Sequence, residues 1–245
     1  MCTCHEHAEQ PARRDFLRLA GVTVATAVTA SLLPTHALAA SPAEPPKPEN
    51  QLSPQAAFDR LMAGNRRYIE GVARRHDFLA EREALVSAQN PFVAVLSCAD
   101  SRIAPEYAFD TGRGDLFAVR VAGNLVNDDG LGSLEYGVAV LGIPLLMVLG
   151  HEGCGAVEAG VKAVRDKASF PGHIQRLADA IAPAVKATLD KPGDPLDNAI
   201  RQNVLDNMRL VKERSEILRT AIDEGRLKLV GGLYRLADGK VELLG

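Results

Sequence analysis

The chain of 245 residues has no tryptophan, and aromatic residues make up only 4% of it. Its core therefore has to be aliphatic, built from Val, Leu, Ile and Ala, and an aromatic-rich β-sandwich is a poor fit. Hydrophobic residues at 47% supply enough material for one sizeable core. Such a core suits a parallel sheet covered by helices. Charge imbalance is lacking as well: 28 basic against 31 acidic side chains leave a net charge of −3, which gives no electrostatic reason to expect nucleic acid or an anionic membrane surface as partner. Cysteines are few. Of the four, Cys2 and Cys4 lie in the first four residues, leaving Cys98 and Cys154 for the rest of the chain.

The first forty residues do not read as part of the core. Ala12-Arg13-Arg14-Asp15-Phe16-Leu17-Arg18 is close to a twin-arginine export signal, followed by a mildly apolar stretch from Leu19 to Leu33 and an Ala37-Leu38-Ala39 cleavage pattern. With Thr23, Thr26, Thr29 and Ser31 inside it, the stretch is too short and too polar for a comfortable membrane span. The expectation is a signal peptide over 1–39, removed after Ala39, with an uncleaved anchor as the alternative. The twin-arginine export machinery handles proteins that have already folded around a cofactor, so the mature protein is expected in the periplasm or secreted. Cys2, Cys4, His5 and His7 resemble a metal-binding cluster by composition, but they precede the arginine pair and would be lost with the signal.

Residues 40–52 are rich in proline and read as a linker without regular structure, ahead of a domain over 53–245. Ser53 and Pro54 have the residue types of a helix cap and first helical position. Apolar runs at 91–97, 115–121, 144–149 and 227–231 predict buried strands, with a short last strand at 240–244. Helices are expected from 54, over 132–141, from Gly155 to about 167, and over 173–190 and 195–223. Strands alternating with helices imply right-handed crossovers, hence an α/β fold with a mostly parallel central sheet flanked by helices. Arg66, Arg67, Arg74 and Arg75, like His76 and His173, read as surface residues.

Two short motifs carry the chemistry. Cys98-Ala-Asp-Ser-Arg102 follows the first apolar run and His151-Glu-Gly-Cys154 follows the third, and ligands in parallel sheets gather beyond the carboxyl ends of strands. Two thiolates and an imidazole make a three-ligand zinc site with one position left for water, the pattern of a catalytic rather than a structural zinc. A Cys98–Cys154 disulfide is the competing reading, although it requires neither His151 nor the Asp100/Arg102 pair. Zinc lowers the pKa of its water toward about 7. Asp100 is placed to manage that position, and the planar fork of Arg102 can hold it bidentately. If Arg102 keeps the carboxylate away, the site is open; if it lets go, Asp100 can close it.

Taken together, Cys98-Ala-Asp-Ser-Arg102 and His151-Glu-Gly-Cys154-Gly-Ala resemble the β-class carbonic anhydrases. So do Asp115-Leu-Phe-Ala-Val-Arg-Val-Ala-Gly-Asn124, Ser133-Leu-Glu-Tyr-Gly137 and Val230-Gly-Gly-Leu-Tyr234, and the likeness runs from about residue 53 to the end. The resemblance implies reversible hydration of CO2 to bicarbonate and a proton, by hydroxide on one Zn2+ per subunit held by Cys98, His151 and Cys154. Asp100 and Arg102 would be the gating dyad, in a homodimer or higher homo-oligomer with active sites at the subunit interface. It also implies a substrate contact from Gln89, a small CO2 pocket lined by Phe117, Ala122 and Tyr136, and Gly155 as a further substrate-binding residue. Ala122 stands where the family often has Val, and Val121 where it often has Asn, which bears on pocket size. One branch of the family has an inhibitory bicarbonate site that uses Trp; without Trp that site cannot form in its usual shape, so an open zinc near neutral pH is expected. The alternatives are a carbonyl sulfide or carbon disulfide hydrolase on the same scaffold, and a non-catalytic zinc-stabilised binding protein.

Overall fold

The architecture is seen in a computed structural model that describes residues 45–245; the expected export signal, its cleavage site and the Cys2–His7 cluster lie outside the described residues. Every residue of β1 (Val93–Ser97) and of β3 (Leu145–His151) is buried. Up to their last residues, Ser97 and His151, these runs are apolar rather than alternating, because both faces of the strands are covered. On one face Ala94 and Leu96 join Leu146 and Val148; on the other Val93 and Val95 join Leu145, Met147 and Leu149. Each fully buried aliphatic side chain contributes roughly 1.5–3 kcal/mol, so these two strands dominate the stability of the centre.

β2 (Leu116–Arg120) lies at one edge, and β4 (Lys228–Tyr234) and β5 (Val241–Leu244) complete a five-stranded sheet in the order β2-β1-β3-β4-β5. The first four strands are parallel, and only β5 runs antiparallel, against β4. The α/β expectation holds. Around the sheet lie α1 (Pro54–Ile69), α2 (Phe78–Ala84), α3 (Pro105–Ala108), α4 (Asp128–Ala139), α5 (Gly155–Arg165), α6 (Ile174–Lys186), α7 (Pro195–Arg214) and α8 (Glu216–Asp223). No helix among the described residues is long and apolar enough to cross a membrane.

Several boundaries differ from expectation for local reasons. α4 begins four residues earlier than 132 because Asn127 caps it, accepting from the Gly130 amide, and Asp128 and Asp129 favour its first turn. The expected helix over 195–223 is two helices: Ser215 takes extended backbone and its hydroxyl caps α8 by accepting from the Leu218 amide. α6 ends at Lys186, β4 continues to Tyr234, and the short helices α2 and α3 were not expected.

The proline-rich segment is not all irregular. Pro48–Asn50 forms a 3-10 turn and Asn50 is buried, donating to Asp115 Oδ1 at 3.1 Å. Lys47 also pairs with Asp115, and its backbone exchanges hydrogen bonds with the Asn90 side chain. The folded unit therefore includes the end of the expected linker. Arg67 departs from the solvated reading too, its Nε donating to the buried Asp110 at 2.5 Å.

Candidate metal centre

β1 delivers Cys98 immediately beyond its carboxyl end, and β3, its parallel neighbour, ends on His151 itself. The chain then turns through Gly153, whose φ of 58° favours glycine, and reaches Cys154 as the N-cap of α5. The strand pairing thus brings together ligands that are 53 residues apart in the chain. The Gly150 backbone lies against α7: a Cβ there would meet Val204 at 2.6 Å, so glycine is what lets the helix cover the strand end that carries His151.

Cys98, His151 and Cys154 are all buried, and one ligand atom from each lies within 4.8 Å of the others. The two sulfurs are 3.8 Å apart, far beyond the roughly 2.05 Å of a disulfide, and both cysteines are free. His151 pairs Nδ1 with the Glu152 carbonyl at 2.8 Å, which leaves Nε2 buried without a partner. A buried orphan nitrogen facing two sulfurs fits a metal ligand, and the donor set is one that zinc accepts. Leu125, Val157, Ile181, Val185 and Leu233 pack around the cysteines, so the floor of the site is apolar.

The charges agree with this arrangement. The Cys98 thiol is pushed down to about 4, chiefly by the hydrogen bond from Cys154, with burial opposing and His151 and the Gly123 amide assisting. Cys154 is pushed up, first because it holds that bond to Cys98 and then by burial. Burial is the largest single influence on His151 and works to lower it, but the Cys98 thiolate, the Glu152 carbonyl and the Asp100 carboxylate together raise the imidazole above its ordinary value.

Asp100 sits at the rim, its Oδ2 3.9 Å from His151 Nε2. Arg102 holds both carboxylate oxygens, Nε to Oδ1 at 2.9 Å and Nη2 to Oδ2 at 2.7 Å, and Nη2 also donates to the Gly153 carbonyl at 3.0 Å. This fork keeps the Asp100 carboxyl well below the usual carboxylate range. The bidentate pair expected from the motif is therefore formed, and it is tied to the turn between the other two ligands.

Two contributions escaped the sequence reading. Arg120, the last residue of β2, clamps the Cys98–Ile103 turn, donating to the carbonyls of Cys98 (3.0 Å), Asp100 (2.7 Å) and Ile103 (2.7 Å). Its signal was a cation at the end of an apolar run. Gly123, at φ 77°, donates its amide to Cys98 Sγ at 3.2 Å.

The expected pocket residues divide into two groups. Ala122 adjoins Gly123, and Gly155 follows Cys154, so both lie beside the metal ligands. Gln89 and Tyr136 instead line a surface cleft of about 600 Å³ with Leu85, Val86 and Leu141. Phe117 is level with Ala94 near the start of β1, four residues before Cys98 and thus roughly 13 Å away along the strand. A single chain does not bring Gln89, Phe117 or Tyr136 to the metal ligands.

Comparison with known proteins agrees with the geometry. A family model described as carbonic anhydrase matches residues 93–241. The chain is 35% identical over 192 residues to carbonic anhydrase 2 of Mycobacterium tuberculosis, covering 78% of this chain and 93% of the relative. It is 37% identical over 196 residues to a carbonic anhydrase of Mycolicibacterium smegmatis, with the same coverage of 78% and 93%. Among solved structures, the β-carbonic anhydrase CcaA superposes with a TM-score of 0.62 at 26% identity, covering 77% of this chain and 87% of that one. A Coccomyxa β-carbonic anhydrase in complex with acetazolamide gives 0.59 at 27% identity, covering 78% and 82%. With its metal-ligand set, its sheet and these relatives in agreement, the chain belongs to the β-class carbonic anhydrase family.

Proposed function

We propose that this protein is a zinc-dependent carbonic anhydrase that interconverts CO2 and water with bicarbonate and a proton. The observation that carries the reading is a buried set of two sulfurs and one unpartnered imidazole nitrogen beside a carboxylate that an arginine holds in place. Zinc bound by Cys98, His151 and Cys154 supplies a Lewis acid that makes water nucleophilic near neutral pH. Asp100, kept ionised by Arg102, is a pure acceptor at the rim of the site; it orients water there by accepting its hydrogen bond. Because both its oxygens are engaged by Arg102, the carboxylate is restrained from competing for the open coordination position. The apolar floor favours a neutral linear substrate over bulk water.

The working unit in this reading is a homodimer or larger homo-oligomer. Gln89, Phe117 and Tyr136 lie away from their own metal ligands; Tyr136 is itself exposed, as are the apolar side chains of Val86 and Val140. A second copy placing this surface over the metal centre would complete the CO2 pocket. Arg13, Arg14 and the Ala37-Leu38-Ala39 pattern support export by the twin-arginine route to the periplasm or beyond, with zinc loaded before passage.

Stopped-flow CO2 hydration by the zinc-loaded protein tests the activity. Hydration far above the uncatalysed rate is expected. Background CO2 turnover together with clear hydrolysis of carbonyl sulfide would reassign the site.

A further inference from the structure

α7 carries two buried amides, Asn203 and Asn207, among core residues that are otherwise aliphatic (Ala199, Ile200, Val204, Val211). Their hydrogen bonds serve one loop. Asn203 Nδ2 donates to the Gly123 carbonyl at 2.8 Å, and Asn207 Oδ1 accepts from the Val126 amide at 2.7 Å. The two are coupled, Asn207 Nδ2 donating to the carbonyl (2.7 Å) and the side-chain oxygen (3.1 Å) of Asn203. The loop needs such support, since Gly123 and Asn124 are successive left-handed residues at φ 77° and 47°, and the second is not a glycine.

The peptide following Gly123 is thus pinned by Asn203, while the peptide preceding it gives its N–H to Cys98 Sγ. An amide donated to a metal thiolate withdraws charge from the sulfur, leaving the metal more acidic. Groups one step removed from a metal are known to orient and tune its ligands in this way. We propose that Asn203, steadied by Asn207, is a positioning residue that acts through the Gly123 amide to limit charge donation from Cys98 to the metal. The proposal rests on Cys98 being a metal ligand.

The experiment is cobalt substitution of the full chain and of Asn203→Leu, which removes the donor while keeping a side chain of similar size. A thiolate-to-cobalt charge-transfer band in the parent establishes the ligand reading; its absence would overturn that reading and the proposal with it. In Asn203→Leu the band is expected at longer wavelength, because the sulfur holds more charge. The zinc form should lose about tenfold in kcat/KM at neutral pH and regain it at alkaline pH, an upward shift of about one unit in the profile. Asn207→Leu, one link further away, should shift the band in the same direction by less, and it serves if Asn203→Leu does not fold. Val211→Ala, in the same helix but without a polar partner, controls for lost stability. An unmoved band and pH profile in a folded Asn203 or Asn207 variant would overturn the proposal.

Discussion

At the carboxyl end of the sheet, Cys98, His151 and Cys154 are each no more than 4% exposed and are fixed by strand pairing, a glycine turn and the Arg120 clamp. At the amino end, Gln89 lies on the surface and Tyr136 is 48% exposed, both lining an open cleft. One end is complete within a chain, and the other supplies surface that the same chain leaves uncovered. The contrast separates two tasks. A metal needs ligands preorganised to within tenths of an ångström, which neighbouring strands provide. A small apolar substrate needs enclosure, which a second copy can provide.

The largest effect should come from breaking the complete end. Cys154→Ser is expected to lose zinc, measured by atomic absorption, and to bring CO2 hydration down to background. Next comes the dyad. Arg102→Leu should retain zinc but lose about 10–100-fold in hydration, because Asp100 is no longer held. It should also change acid stability in a definite direction. The native carboxyl titrates below its unfolded value, so the contribution of the pair is fully present above about pH 4 and fades as pH falls through the native value. Denaturation of Arg102→Leu and the parent should therefore differ near neutral pH and converge in strong acid.

Mixing subunits sharpens the comparison further. Gln89→Ala alone should cost about tenfold in kcat/KM, the worth of one substrate hydrogen bond. Co-expression of Cys154→Ser with Gln89→Ala should restore activity in mixed oligomers, since one site then combines an intact metal end with an intact Gln89 from the other chain. If Gln89 served its own chain, the mixture would not exceed Gln89→Ala alone. The smallest effect belongs to neither end: Ser53→Ala removes the cap bond to the Ala56 amide and should cost about 1 kcal/mol in denaturant unfolding with hydration unchanged.

What was legible in the sequence was whatever is local. The runs that became β1 and β3 are apolar on both faces, so their burial could be read directly, and the ligands follow from motifs at their ends. The capping role of Ser53 was visible for the same reason. α2 was not, being one short stretch of mixed character, Phe78–Ala84, none of it buried. The support of the site was hidden because it works across the chain. Asn203 reaches a carbonyl 80 residues away, and Arg120 reaches back 22 residues to Cys98, through bonds to backbone that leave no side-chain pattern. Arg66, Arg67, Arg74 and Arg75, in the last turn of α1 and just beyond it, looked alike in sequence, yet Arg67 is set apart by the buried Asp110 that receives it.

The central claim is that these three ligands hold the zinc on which CO2 hydration depends. Titrating the metal-free protein with zinc while following stopped-flow CO2 hydration tests it most directly. Activity should rise in proportion to bound zinc and level off at one ion per chain. Hydration in the metal-free protein, or none at full zinc occupancy, would contradict the account.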